Sequence, residues 1–114
     1  MVGPMVSSAV NEISPAELKA RREAGTGPLV IDVREGWELD IARIPEVLHI
    51  PMNEIPARLP ELDAGREIVV MCRSGGRSMQ VAQFLARNGF RSVANLTGGI
   101  LAWSRDVDPS VSAY

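Results

Sequence analysis

A single cysteine, Cys72, and a single histidine, His49, stand in a chain of 114 residues. One thiol excludes an internal disulfide, and one thiol with one imidazole cannot supply a usual zinc ligand set, so no metal is expected. A Ser–His–Asp triad would have to use His49, which lies inside the short apolar stretch Val47-Leu48-His49-Ile50, and no nucleophile-elbow sequence supports one. His49 is therefore read as a structural residue. Charge of one sign is also scarce. Basic and acidic residues number 12 and 14, interspersed, for a net charge of −2, which leaves no electrostatic footprint for nucleic acid. No apolar run approaches the roughly 20 residues of a membrane span. The opening Met1-Val2-Gly3-Pro4-Met5 lacks the basic region and apolar core of a signal peptide. The expected setting is cytoplasmic, with no nucleic-acid or membrane partner, and reducing conditions there keep a lone thiol usable.

What is present fits one ordinary globular domain, with 46% hydrophobic and 23% charged residues. Residues 1–9, with Gly3, Pro4, Ser7 and Ser8, read as a flexible arm, and residues 10–114 as the domain. Val10-Asn11-Glu12-Ile13 suggests a short edge strand. Ser14-Pro15-Ala16-Glu17 then starts a helix, with Ser14 as cap, Pro15 in the first position, Glu17 closing a capping box, and Ile13 and Leu18 spaced as a staple. Strands are expected at Leu29–Val33, Val47–Ile50, Ile68–Met71 and Val93–Leu96. Helices are expected around Trp37-Glu38-Leu39 (stopped by Pro45), over Ser78–Asn88 and through Trp103. Only short helical turns are expected between Asn53 and Leu62, where Pro56 and Pro60 fall. This alternation predicts an α/β domain with a mainly parallel central sheet and helices on both faces. Trp37 and Trp103 are read as core or rim, Met71 as core, Met79 as bordering the entrance, and Arg21, Arg22 and Arg43 as solvated charges.

Cys72 sits where the apolar run Ile68-Val69-Val70-Met71 meets the turn Arg73-Ser74-Gly75-Gly76-Arg77-Ser78. Ligands of parallel sheets bind at the carboxyl ends of strands, where Cys72 falls. If the N–H groups from Arg73 to Ser78 point inward, they form an anion cradle, helped by two glycines, two guanidinium groups and the positive end of the following helix. Such a setting lowers a thiol pKa. It suits a thiolate that attacks an electrophilic sulfur, and equally the anionic persulfide that results.

The chain resembles a single-domain rhodanese, a thiosulfate:acceptor sulfurtransferase. The resemblance runs from about Ile13 to Asp108. It rests on Leu29-Val30-Ile31-Asp32-Val33-Arg34, on Ile44-Pro45 with Ile50-Pro51, on Cys72-Arg73-Ser74-Gly75-Gly76-Arg77-Ser78, and on Leu96-Thr97-Gly98-Gly99-Ile100-Leu101-Ala102-Trp103. It implies a rhodanese-like fold with Cys72 as the sulfur-carrying nucleophile. The amides of Arg73, Ser74, Gly75, Gly76, Arg77 and Ser78 would cradle the persulfide. Arg73 would draw in thiosulfate or another small anionic donor, Arg77 would brace the loop, and Asp32 and Arg34 would order neighbouring loops. No cofactor is called for.

Four residues separate Cys72 from Arg77, as in the sulfurtransferases, whereas the related phosphatases and arsenate reductases carry one more; the shorter loop favours sulfur transfer. Where the family often has Gly-His-Ile-Pro-Gly-Ala, this chain has Ala42-Arg43-Ile44-Pro45-Glu46-Val47, which implies altered loop packing and leaves donor choice open. The tail, Ala102-Trp103 followed by Asp106-Val107-Asp108-Pro109 and Tyr114, is similar to rhodanese domains fused to ubiquitin-like-protein adenylyltransferases. That similarity implies a second reading, a protein-to-protein sulfur relay toward a ubiquitin-like carrier or a thiolation pathway. A third is a sensor that binds anions or oxidises at Cys72 without turnover.

Overall fold

Unbroken apolar strands call for a sheet covered on both faces, because such strands have no solvent side to present. The structure, a computed structural model, describes residues 9–114. Among these, β1 (Asn11–Ile13), β2 (Leu29–Asp32), β3 (Leu48–His49), β4 (Ile68–Met71) and β5 (Val93–Leu96) form one all-parallel sheet in the order β1-β5-β4-β2-β3. Helices α1 (Pro15–Glu23), α2 (Gly36–Ile41), α3 (Ile55–Arg58), α4 (Gly76–Arg87) and α5 (Gly99–Asp106) connect and cover the strands, with 3-10 turns on either side of α3. The arm expected over residues 1–9 lies, apart from Ala9, outside the described residues. No helix among the described residues is long and apolar enough to cross a membrane.

The topology places the site. The chain steps from β2 out to β3, returns across β2 to β4, then moves out the other way to β5, so the strand order reverses between β2 and β4. The crevice outside the carboxyl ends of the strands at such a reversal is where open parallel sheets bind ligands. Asp32 and Arg34 lie at the end of β2, and Cys72 at the end of β4. Side-chain alternation then sets direction. Ile68, Val70 and Cys72 join Ile55, Val81 and Leu85 in the core beneath α3 and α4. Val69 and Met71 face the other way, against Leu18 of α1 and Ile100 and Trp103 of α5.

The expected cap, proline and staple of α1 are present, but the capping box is not closed, because the Glu17 side chain does not return to the Ser14 N–H. The Glu17 N–H donates to Ser14 Oγ at 3.1 Å, Pro15 occupies the first turn, and Ile13 and Leu18 share one core. The main departures lie where a loop outcompetes local pattern. Helix α4 begins at Gly76, two residues before Ser78, because Gly75 adopts φ 111° and becomes its N-cap. Helix α2 ends at Ile41, ahead of Pro45, and α5 runs past Trp103 to Asp106. Strand β3 keeps only two residues, with Pro51, which lacks an N–H, soon after its end.

Arg21 and Arg22, expected as solvated charges, instead tie segments together. Arg21 donates to both Glu67 carboxylate oxygens and to the Thr26 carbonyl. Arg22 donates to the carbonyls of Pro45 and Glu46, both at 2.9 Å. The second clamp holds the turn in which the family's glycines are missing, and there Glu46 takes φ 58°. A side chain in the left-handed region costs about 1 kcal/mol or more relative to glycine, partly offset by glycine's extra freedom in the unfolded chain. Glu46→Gly is therefore expected to stabilise the domain by about 0.5 kcal/mol, a rise in Tm of about 2 °C in a thermal melt.

Candidate active site

Cys72 is buried, with 1% of its surface exposed. Its Sγ accepts the Gly75 N–H at 3.1 Å and the Ser78 N–H at 3.4 Å, and lies 3.2 Å from Ser78 Oγ. Of the amides expected to line a cradle over residues 73–78, two donate to Sγ itself. Gly75 and Ser78 reach the sulfur, and the Ser74 amide adds a further favourable contribution. Burial alone pushes the thiol up. The Ser78 hydroxyl and the amides of Ser78, Gly75 and Ser74 outweigh it and hold the thiol below its ordinary value. The left-handed backbone of Gly75 is what lets its amide turn inward. Gly76 does not share that conformation, so only one of the loop's two glycines is needed for its backbone.

The loop is pinned from behind. N–H groups at the start of α5 donate to its first two carbonyls, Ile100 to Cys72 at 2.9 Å and Leu101 to Arg73 at 3.1 Å. Asn95 of β5 accepts from Ser78 Oγ through Oδ1 and donates through Nδ2 to the Gly75 carbonyl at 3.2 Å.

The two loop arginines differ. Arg73 is exposed, and its guanidinium lies 5.1 Å from the centre of the Tyr114 ring, a cation–π distance. Arg77 is half-buried and forms a paired ion bridge with Glu38 of α2, at 2.8 and 2.9 Å. Glu38 is only 3% exposed and also accepts from the Glu35 N–H at 2.8 Å and the Tyr114 hydroxyl at 2.7 Å. Its carboxyl is held down at about 2, first by Arg77, against burial and with help from Glu35 and Tyr114. Arg34 is fully buried, grips the Asp32 carboxylate, and reaches the Ala42 carbonyl and the Tyr114 hydroxyl, each at 2.8 Å. The structure therefore brings Asp32, Arg34, Glu38, Tyr114 and Arg77 into one chain of contacts that fixes the loop's far end. His49 supports it from the edge, with Nε2 2.7 Å from the Arg34 carbonyl.

Glu38, Asn95 and Tyr114 were not among the site residues expected from sequence. For Asn95 a signal existed: an amide at an inward position of an otherwise apolar strand. Glu38 looks like any helical glutamate, and Tyr114 is marked in the sequence only by the resemblance of the tail, which gives it no place in the site. Trp103 is buried as expected, but Trp37 is 62% exposed and packs in no core.

A depressed carboxyl contributes stability above the ordinary glutamate range and loses it on acidification. Glu38→Gln is expected to cost about 2 kcal/mol at neutral pH, allowing for solvent around the half-buried Arg77. The gap between the two proteins in denaturant titrations should close as pH falls from about 5 toward 2.

Fold and site together define an α/β domain that presents a hydrogen-bonded cysteine in a short loop at the carboxyl edge of a parallel sheet. The family model for the rhodanese-like domain matches residues 14–106. A sulfurtransferase of Allochromatium vinosum is 40% identical over 103 residues, which span 90% of this chain and 96% of that protein. The adenylyltransferase and sulfurtransferase MOCS3-1 of Zea mays is 36% identical over 109 residues, spanning 90% of this chain but 23% of that larger protein. Among solved structures, a rhodanese-like domain protein from Staphylococcus aureus matches with a TM-score of 0.79 and 28% identity, over 92% of this chain and 99% of that one. The chain belongs to the rhodanese-like family, and its general function is rhodanese-type sulfur transfer. The maize relative shows that the chain is homologous to the rhodanese domain of an adenylyltransferase and sulfurtransferase.

Proposed function

We propose that Cys72 carries the transferred sulfur as a persulfide, taken from thiosulfate or a protein persulfide and passed to a thiophilic acceptor. The observation that carries this reading is the set of donors on Sγ, from Gly75 N–H, Ser78 N–H and Ser78 Oγ, which stabilise a thiolate. In the first half-reaction the thiolate attacks the outer sulfur of thiosulfate. A new S–S bond forms, the donor's S–S bond breaks, and its electron pair leaves with sulfite. In the second, a nucleophile such as cyanide or a thiolate attacks the terminal sulfur and the Cys72 thiolate departs. No proton is transferred in either displacement, and ping-pong kinetics follow. Arg73, exposed and steadied by Tyr114, supplies the charge that attracts an anionic donor. The buried sulfur favours a slender donor end over a bulky phosphate ester. A cytoplasmic, reducing setting keeps the single thiol free for this work.

A protein donor or acceptor is the second reading. It is favoured by Trp37 and Ile41, two exposed apolar side chains one turn apart on α2, the helix that also carries Glu38. Intact mass after thiosulfate treatment tests the first reading: a gain of one sulfur atom, removed by cyanide and mapped to the peptide holding Cys72. Absence of that adduct, or its location elsewhere, overturns it. Rapid loading from a cysteine desulfurase persulfide, beside a high KM for thiosulfate, would select the relay.

A further inference from the structure

Ser78 carries one hydroxyl proton and stands between two acceptors. Its Oγ is 3.2 Å from Cys72 Sγ and within close hydrogen-bonding distance of Asn95 Oδ1. The orientation of the Asn95 amide is fixed by its other end, which faces only acceptors: the Gly75 carbonyl at 3.2 Å and a Glu12 carboxylate oxygen at 3.4 Å. That end must be the NH2, so Oδ1 faces Ser78 and requires its proton. Asn95 is 4% exposed, and Ser78 is buried as well, so water has little access to stand in for a missing donor. With Cys72 as a neutral thiol, the arrangement closes: S–H donates to Ser78 Oγ, and Ser78 donates to Asn95. With Cys72 as a thiolate it cannot. The hydroxyl must turn to the sulfur, and Asn95 Oδ1 is left unpaired.

We infer that Asn95 is a positioning residue that competes with Cys72 for the single hydroxyl proton of Ser78, holding it when Sγ is neutral and yielding it when Sγ is charged. The consequence for turnover rests on the persulfide reading above. In the persulfide the negative charge lies on the outer sulfur and Sγ is a neutral, divalent atom, so the Ser78 proton returns to Asn95. Asn95 therefore favours the loaded enzyme over the free thiolate. The charged groups around this pair are Arg73 in the loop, Arg77 of α4 with its partner Glu38 of α2, the Asp32–Arg34 pair beyond β2, and Glu12 of β1, which also takes the Thr97 hydroxyl at 2.7 Å. A Leu or Val at position 95 alters none of these charges, though it releases the Asn95 contact to Glu12.

The test is the pH dependence of Cys72 alkylation by iodoacetamide, which needs no sulfur transfer. Asn95→Leu should lower the Cys72 pKa by about one unit, the size one hydrogen bond gives, and Ser78→Ala should raise it by a similar amount. In the Ser78→Ala background the Asn95 substitution should change nothing, because its effect passes through that hydroxyl. Asn95→Val serves if the leucine variant fails to fold, as judged by circular dichroism. An unchanged or raised pKa in the single Asn95 variant, or the same shift with and without the Ser78 hydroxyl, would overturn the inference. A second measurement addresses the loaded state: partition of sulfane sulfur between the protein and a small thiol should shift about tenfold away from the Asn95→Leu protein. If the pKa shifts occur but no variant nor the parent ever takes up sulfur, the hydrogen-bond competition stands and the persulfide reading falls.

Discussion

Replacing Cys72 with serine is expected to lower sulfur transfer by about 10⁴-fold or more, with no cyanide-labile sulfur on the protein. The size of the loss follows from the site's economy of means. The donors on Sγ stabilise an anion, yet they cannot generate one from an alcohol at neutral pH, and among the described residues no carboxylate or imidazole is hydrogen-bonded to Sγ to do so. The one imidazole, His49, is engaged with the Arg34 carbonyl on the other side of β2. A serine hydroxyl in that cradle stays protonated and attacks nothing. In the parent protein the thiol is held below its ordinary value, so the alkylation rate should rise with pH through a midpoint below that of the same thiol in the unfolded chain and level off above it. Cys72→Ser should retain the fold, since the hydroxyl still meets the Gly75 and Ser78 amides, and a loss of activity with an unchanged melting curve separates chemistry from stability.

How far the sequence reached is clearest around this same loop. The run from Ile68 to Met71 is apolar on both sides, and alternation alone aims Cys72 toward the helix that follows. The four-residue gap to Arg77 set the size of the cradle. Long-range partners were a different matter. Glu38 meets Arg77 from 39 positions away, and Tyr114 reaches Glu38 from 76. No periodicity in a helix says which of its carboxylates will be buried, because that depends on where β2 and β4 lie side by side. The start of α4 was misplaced for a related reason: Gly75 and Gly76 look alike in sequence, and only the first takes the left-handed backbone that ends the loop. Trp37 is the opposite case: the sequence leaves it open between core and rim, and its exposure excludes the core.

Gly99→Ala is expected to destabilise the domain by about 3 kcal/mol or more, lowering Tm by about 12 °C, and to disturb Cys72 at the same time. A Cβ at this position would stand 2.4 Å from the Arg73 carbonyl oxygen, 2.5 Å from its carbon and 2.6 Å from the Cys72 carbonyl oxygen, with the backbone at φ 62°. All three obstructing atoms belong to the main chain, so no side-chain rotation relieves them. The same two carbonyls take the N–H groups of Ile100 and Leu101, and the strand end cannot retreat without losing those bonds. The start of α5 therefore works as a mould for the first turn of the cysteine loop, and a methyl group pressed into it must push Cys72 and Arg73 away from the Gly75 and Ser78 amides. The alkylation midpoint of the surviving folded protein should rise accordingly. Gly76→Ala is the matching control: nothing lies within 4 Å of its Cβ, its φ is not left-handed, and it opens a helix. That change should be neutral or stabilising by up to about 1 kcal/mol, with the thiol midpoint unmoved. Equal damage from both substitutions would mean that the loop tolerates no side chain anywhere and that the contact with α5 has no special part in shaping it.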